Sequence, residues 1–459
     1  MIRKVFRFIT EDHENDEERI LYSLRTLRHP NIIEILASYS HRSIHNILFP
    51  VADGDLEGLL KGEVVREPHF VHPHAMLREA YGLASAINTI HTFFVSQFGL
   101  AMIGCHYDLK PKNILVRGKK LLVSDFGLSR LENADSSGAA AVATINFLGF
   151  YFAPECLTEA MIGQIPETAT IGRESDVWSF GCILFVMAVF LDAGATGVEE
   201  FEEERRAVMH IYHGCYTTRT FHMNGELNPA VKKWLARLSC DAQFSCAKEL
   251  FGLITDILQI DMRSRPLMAT VTDRLFVLAQ TSLFGFSYSQ LKLVLAQTEN
   301  SQKKLELETQ IERFYAWGNL MGLVDADAPD TIASCEKIHP AIPHESITKT
   351  LADIENEILF CHQHSLSPSF GRLQSLVNNL WLYLPVEYSH GELVKKSTSW
   401  LPEDPSPIAP LELTEEDMSA LDGMRLPSGT FSLTGQEVGI HSLGRVQDHG
   451  TSDGPVLVE

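Results

Sequence analysis

The residues with the clearest capacity for chemistry stand in His106-Tyr107-Asp108-Leu109-Lys110-Pro111-Lys112-Asn113 and, a short way on, in Asp125-Phe126-Gly127. They offer two carboxylates, an ammonium group and a side-chain amide oxygen in one short stretch. Moving a phosphoryl group needs such a set: a carboxylate to accept or orient a hydroxyl proton, oxygen ligands to fix metal ions on phosphates, and a cation near the group in flight. Between the motifs, residues 114–116 and 121–124 read as two short strands joined by Gly118-Lys119-Lys120. The expected hairpin would bring the two polar sets together.

These two motifs resemble the catalytic loop and metal-binding motif of protein kinases. Three further segments carry the same resemblance. Ala153-Pro154-Glu155 is similar to the close of an activation segment. Asp176-Val177-Trp178-Ser179-Phe180-Gly181 is similar to the start of the long central helix, whose aspartate holds the catalytic loop by its backbone. Arg265, in Asp261-Met262-Arg263-Ser264-Arg265-Pro266, resembles the arginine that pairs with Glu155.

The resemblance implies an α+β, bilobal protein-kinase-like fold with an incomplete small N-lobe sheet, a mainly helical C-lobe and an α-helical extension. It implies transfer of the ATP γ-phosphate to serine or threonine hydroxyls of a protein substrate, with Mg2+ as cofactor. Asp108 would act as base and Lys110 would neutralise charge at the moving phosphate, while Asn113 and Asp125 would hold magnesium. A lysine two residues after the aspartate looks like the serine/threonine branch. Lys4, in Ile2-Arg3-Lys4-Val5-Phe6, resembles the strand lysine that grips the α and β phosphates, with Glu18 as its partner and Glu17 close behind. Leu48 and Phe49 would border the adenine, and Pro50 to Ala52 would present backbone groups to it, although a proline removes one donor.

The sequence departs from the family pattern in places. Only three residues precede Lys4, so the strands of a glycine-rich loop are not in the sequence given. It reads either as an N-terminally incomplete version of a longer kinase or as a relative with weak nucleotide binding, a pseudokinase scaffold. Tyr107 stands where many kinases have an arginine that receives an activation-loop phosphate, so control by loop phosphorylation is not expected. Phe147 and Leu148 replace the usual Gly-Thr before Tyr151, and the register of Thr144 does not suit a substitute. Asp53 and Asp55 read as turn residues, with a ribose contact as the alternative. The run Glu199, Glu200, Glu202, Glu203 and Glu204 reads as a solvated helical face, with attraction of basic substrates as the alternative.

The elements that must position these groups follow from periodicity. Residues 1–8 read as a short strand, residues 20–27 as an amphipathic helix ended by His29-Pro30-Asn31, and residues 32–36 and 46–50 as two strands. From Pro73, the residues Met76, Leu77, Ala80, Leu83, Ala84, Ile87 and Ile90 mark one stripe of a long helix. Residues 175–284 are expected to be mostly helical. Strands first and helices later is an α+β order.

The domains expected are 1–284, kinase-like; 285–388, a helical extension built on 289–323, 347–363 and 373–384; and 389–459, a Pro-, Ser-, Gly- and acid-rich tail expected to be disordered. Residues 308–323 and 376–385 weakly resemble helical segments of multidomain filamentous-fungal signalling proteins, and the extension is a candidate site for a protein partner.

With 59 acidic against 38 basic residues and a formal net charge of −21, the chain would repel nucleic acid and anionic membrane surfaces. The 8 cysteines are scattered, and Cys240 and Cys246 lack zinc-knuckle spacing, so reduced thiols in a cytoplasmic protein are expected. No secretory signal follows Met1-Ile2-Arg3-Lys4. Residues 178–191 are nearly all apolar but fall short of the roughly 20 residues that cross a bilayer.

Overall fold

The computed structural model describes residues 1–7, 29–41, 44–64, 68–95, 100–133, 150–156, 172–211, 214–242, 246–298 and 300–320, with shorter pieces that include 349–354, 375–377 and 456–458. The helix expected at residues 20–27, Glu17, Glu18, Thr144, Phe147, Leu148 and nearly all of the 389–459 tail lie outside the described residues.

Strands β1 (Ile2–Arg7), β2 (Ala37–His41) and β3 (Ile44–Phe49) form an antiparallel sheet with β3 in the middle. Lys4 faces Ile47 across the ladder, and Leu48 faces Ala37. On its other edge β1 pairs with a strand from far along the chain, Val456–Val458.

The strand expected at residues 32–36 is instead an extended link. Its backbone bonds reach a hairpin of the other lobe: Ile33 N donates to Val123 O at 2.9 Å and Val123 N to Asn31 O at 2.8 Å. The apolar run there reflects burial of Ile32, Ile33 and Ile35 between lobes.

A two-residue strand β4 (Gly54–Asp55) leads into helix α1 (Leu56–Lys61). The Asp55 carboxylate caps that helix by accepting from Gly58 N at 2.8 Å, and Gly62 closes it in the left-handed region at φ 75°. Helix α2 (Pro73–His91) buries the whole expected stripe from Met76 to Ile90. Strands β5 (Phe93–Val95) and β6 (Leu100–Cys105) follow, then the hairpin of β7 (Ile114–Arg117) and β8 (Lys120–Val123), and β9 (Arg130–Asn133) on β6. The hairpin is as expected, with Gly118 at φ 55° in its turn.

Helix α3 (Arg173–Glu204) is apolar on all sides from Val177 to Phe190 and breaks at Gly194, where φ is 68°. It is long and apolar enough to cross a membrane by composition, yet 78% of its most apolar window is buried inside the fold. Between α3 and the next helix the chain makes strands that periodicity did not suggest: β10 (Ala207–Ile211), β11 (Gly214–Thr218), β12 (His222–Met223) and β13 (Glu226–Leu227).

Helices α4 (Pro229–Asp241), α5 (Ala247–Ile257), α6 (Met268–Gln297) and α7 (Ser301–Leu320) follow. One large core joins α1 to α6 and the β7–β8 hairpin. A second core joins α6 and α7 through Phe284, Phe314 and Trp317 and also takes in Leu323, Leu351, Ile354 and Val377, and Phe284 stacks on Phe314 at 4.5 Å. Helix α6 runs unbroken past residue 284 and serves both cores.

Candidate active site

The catalytic-loop residues sit in a turn that the rest of the fold holds by its backbone. Asp176, at the start of α3 and 1% exposed, accepts from His106 N at 2.7 Å and Tyr107 N at 2.8 Å, and its Oδ2 lies 2.9 Å from His91 Nε2. Two successive amides aimed at one carboxylate force an unusual backbone, and Tyr107 sits at φ 63°. Burial alone would push the Asp176 carboxyl up; the hydrogen bond and charge of His91, with His106, outweigh it and hold the carboxyl below its ordinary value.

The polar set expected at this loop is assembled. Lys110 Nζ lies 2.7 Å from Asp108 Oδ2, and Asn113 Nδ2 donates to Asp108 Oδ2 and to Asp108 O, both at 2.8 Å. The Asn113 amide nitrogen is thereby committed to Asp108. Ser124, just before Asp125, ties the second motif to the first: its N and Oγ both donate to Asn113 O at 2.9 Å. Phe126 is fully buried against the His106 ring, with centroids 5.0 Å apart.

Asp125 has φ 61°, which turns its carboxylate out of the hairpin toward β1. There Lys4 Nζ meets Asp125 Oδ1 at 2.7 Å, a contact across 121 residues that joins the small sheet to the loop. Burial would raise the Asp125 carboxyl; the Lys4 charge and hydrogen bond, with His106 and Lys110, outweigh it and leave it lowered. Glu18, the partner expected for Lys4, lies outside the described residues, and the pairing shown for Lys4 is with Asp125. An anionic carboxylate and an amide oxygen, Asp125 and Asn113, are hard donors of the kind magnesium takes alongside phosphate oxygens. The described residues contain no cluster of three His, Cys, Asp or Glu side chains fit to hold a metal without such help.

Leu48, Pro50 and Ala52 are all half-buried on the strand end and link between β3 and β4, which Asp53 N pins by donating to Val116 O at 2.7 Å. The Asp53 carboxylate accepts from Gly118 N at 2.6 Å, and Asp55 caps α1. Asp53 therefore holds a hairpin turn and Asp55 a helix cap.

The acidic run is largely neutralised within the fold: Glu202 lies 3.6 Å from Lys61, Glu203 pairs with Arg219, and Glu204 lies 2.8 Å from Lys233. Glu155 and Arg265 form the expected pair, with two bonds of 2.8 Å. Sequence reasoning missed His91 as a partner of Asp176. A histidine at the last position of a helix is an ordinary C-terminal residue, and nothing local marks its contact 85 residues away.

The family model of the protein kinase domain matches residues 4–277. Curated relatives include mitogen-activated protein kinase 8 of Oryza sativa subsp. japonica, 33% identical over 183 residues, covering 38% of this chain and 28% of the relative. Mitogen-activated protein kinase 19 of Arabidopsis thaliana is 33% identical over 183 residues, covering 38% and 27%, and its counterpart 9 from the same plant is 32% identical over 185 residues, covering 38% and 32%. The matched part thus spans less than a third of these relatives. With the family model covering more than half of its length, the chain belongs to the protein kinase domain family.

Proposed function

We propose that this chain is a serine/threonine protein kinase that transfers the γ-phosphate of ATP to protein hydroxyls. The observation that carries the reading is the meeting of two pairs: Asp108 held by Lys110 and Asn113, and Lys4 held on Asp125. Asp108 accepts or orients the hydroxyl proton, and Lys110 balances charge on the moving group. Lys4 binds nucleotide phosphates, with Glu18 as its partner on the segment that follows β1. Asn113 and Asp125 would hold Mg2+, whose charge offsets that of the phosphates when bound. Leu48 and Phe49 border the base, and Pro50 to Ala52 present backbone groups to it.

The completeness of this polar set supports turnover over a scaffold role. Helix α7 and the segments after it are the proposed surface for a protein partner. The acidic charge speaks against nucleic acid and anionic membrane as partners, and scattered free thiols, of which Cys105, Cys156 and Cys182 are buried, support a cytoplasmic setting.

The test is Asp108→Asn, assayed for phosphate incorporation into a general protein substrate with Mg-ATP. Loss of a general base is worth about 10²–10⁴-fold. A fall of that order is expected; incorporation equal to the parent chain would refute the assignment. Chelating magnesium should abolish incorporation and restoring it should recover the rate.

A further inference from the structure

Arg205, at the C-terminal end of α3, turns its side chain inward and is 1% exposed, a rare degree of burial for an arginine. Among the described residues its Nε and Nη1 have no hydrogen-bond partner. What surrounds the guanidinium is aromatic: its central carbon lies 4.0 Å from the centre of the Phe221 ring, 4.8 Å from that of Phe201 and 5.9 Å from that of Tyr151. The electron-rich faces of such rings attract a cation, the more so away from water. We propose that Arg205 is a positioning residue: it holds Tyr151, and through it residues 150–155, beside the catalytic loop for a protein substrate to bind.

Rigid parts fix both partners. Asn228 Nδ2 donates to Arg205 O at 3.1 Å and to Thr220 O at 3.0 Å, and the same side chain caps α4 by accepting from Ala230 N at 2.9 Å. The Tyr151 carbonyl accepts from Ser179 Oγ of α3 at 2.9 Å, and its ring lies 5.5 Å from that of Phe221. Burial outweighs the Arg205 charge and pushes the Tyr151 phenol up, so it stays neutral beside the guanidinium. From the phenol a path leads to the chemistry, because Tyr151 feels the charges of Glu202 and Glu57. Glu202 lies 3.6 Å from Lys61, and Glu57 lies 3.7 Å from Lys112, the neighbour of Asn113. Phe150, next to Tyr151, is 42% exposed and offers an open ring to a protein substrate. Arg265 secures the far end of the segment at Glu155, and Arg205 secures the near end at Tyr151. Filling the core alone would not call for a charge, since an apolar side chain of similar volume commonly serves as well or better.

Two measurements on the full chain test this, and only the second rests on the kinase reading. In the first, Arg205→Met removes the charge and keeps an unbranched apolar chain in its place. Hydrogen exchange of the amides of Tyr151 to Ala153 should speed up about 10-fold or more, while exchange in α2 stays at the parent rate. Unchanged exchange at Tyr151 to Ala153 overturns the proposal. Should exchange in α2 rise as well, the fold itself has loosened, and Arg205→Gln, neutral but able to hydrogen bond, is judged by the same criterion.

In the second, steady-state phosphorylation of a general protein substrate separates the two substrates. The KM for the protein should rise at least ~5-fold in Arg205→Met and the KM for ATP by less than ~2-fold. Tyr151→Leu should behave alike, and combining the two changes should leave the KM for the protein within ~2-fold of Tyr151→Leu alone, as for residues that act as one unit. Effects that multiply would show that Arg205 acts by another route and overturn the proposal, as would equal rises in both KM values. A parent chain that transfers no phosphate overturns the substrate role together with the kinase reading, while the exchange result still decides whether Arg205 holds Tyr151.

Discussion

Asp176 does no chemistry itself, yet its two oxygens fix the two peptide groups that precede Asp108 and meet His91 as well. Asp176→Asn would turn an acceptor into a donor facing an N–H, leaving a buried group unpaired. Chemical denaturation should show a loss of about 2–4 kcal/mol, together with slower phosphate transfer because Tyr107 no longer needs its left-handed backbone. A loss below about 0.5 kcal/mol, the range of ordinary surface changes, would mean that other contacts hold the loop.

At this scale the sequence was readable where chemistry dictates residue type. Asp108, Lys110, Asn113 and Asp125 could be named because their types and spacing resemble the catalytic loop and metal-binding motif of protein kinases, and the fold brings Asp108, Lys110 and Asn113 into contact. His91 could not, because its role is set by a neighbour distant in sequence.

Among elements, helix α2 was legible because its buried stripe repeats at helical spacing, and the β7–β8 hairpin because Gly118 marks its turn. The misreading of residues 32–36 has the same origin as those successes. An apolar run reports burial, and burial between two lobes looks like burial in a sheet. Strands β10 to β13 escaped because two-residue and five-residue pairings following a long helix carry little periodicity.

Two joints between elements invite tests. Arg265 has a fully buried side chain and donates to both oxygens of Glu155 and to the carbonyls of Gln259 and Glu174. A lysine cannot reproduce that fork. Arg265→Lys should cost about 3 kcal/mol in urea unfolding, in the range for breaking a buried pair, and a cost near zero would show that the pair contributes no stability. At the α6–α7 joint a Cβ on Gly318 would run into the Phe284 ring. Gly318→Ala should lower stability by about 1–3 kcal/mol through overpacking, visible as faster exchange in α7 than in α2. Equal protection of both helices would show that the ring can move aside at no cost.

For the molecule as a whole, the pH dependence of stability follows from groups the fold keeps from solvent. His222 is 2% exposed, and its ring is held against Trp178 and Phe152. Burial lowers its pKa from 6.5 to about 4, in spite of a hydrogen bond to the Phe152 backbone that favours the charged form. His29 is lowered to about 4 as well, by burial and by the Lys120 charge.

Between pH 6.5 and 4 the unfolded chain therefore binds these protons and the folded chain does not, so stability is full above 6.5 and falls as pH drops through the window. From pH 7.5 to 5 the loss due to His222 alone is about 2 kcal/mol, given 1.36 kcal/mol per unit of pKa difference. Asp125 and Asp176, lowered from 3.8, add their own loss only below that value, as their carboxylates are forced to take protons.

The net charge of −21 acts in the opposite sense, because acidification relieves repulsion. Comparing variant with parent cancels that contribution. His222→Phe keeps a ring in place and cannot titrate. Denaturation at pH 7.5 and pH 5 should show the variant losing about 2 kcal/mol less than the parent between the two conditions. Equal losses would mean that His222 takes up its proton inside the folded chain, and the packing of Phe152 and Trp178 around it would have to admit water.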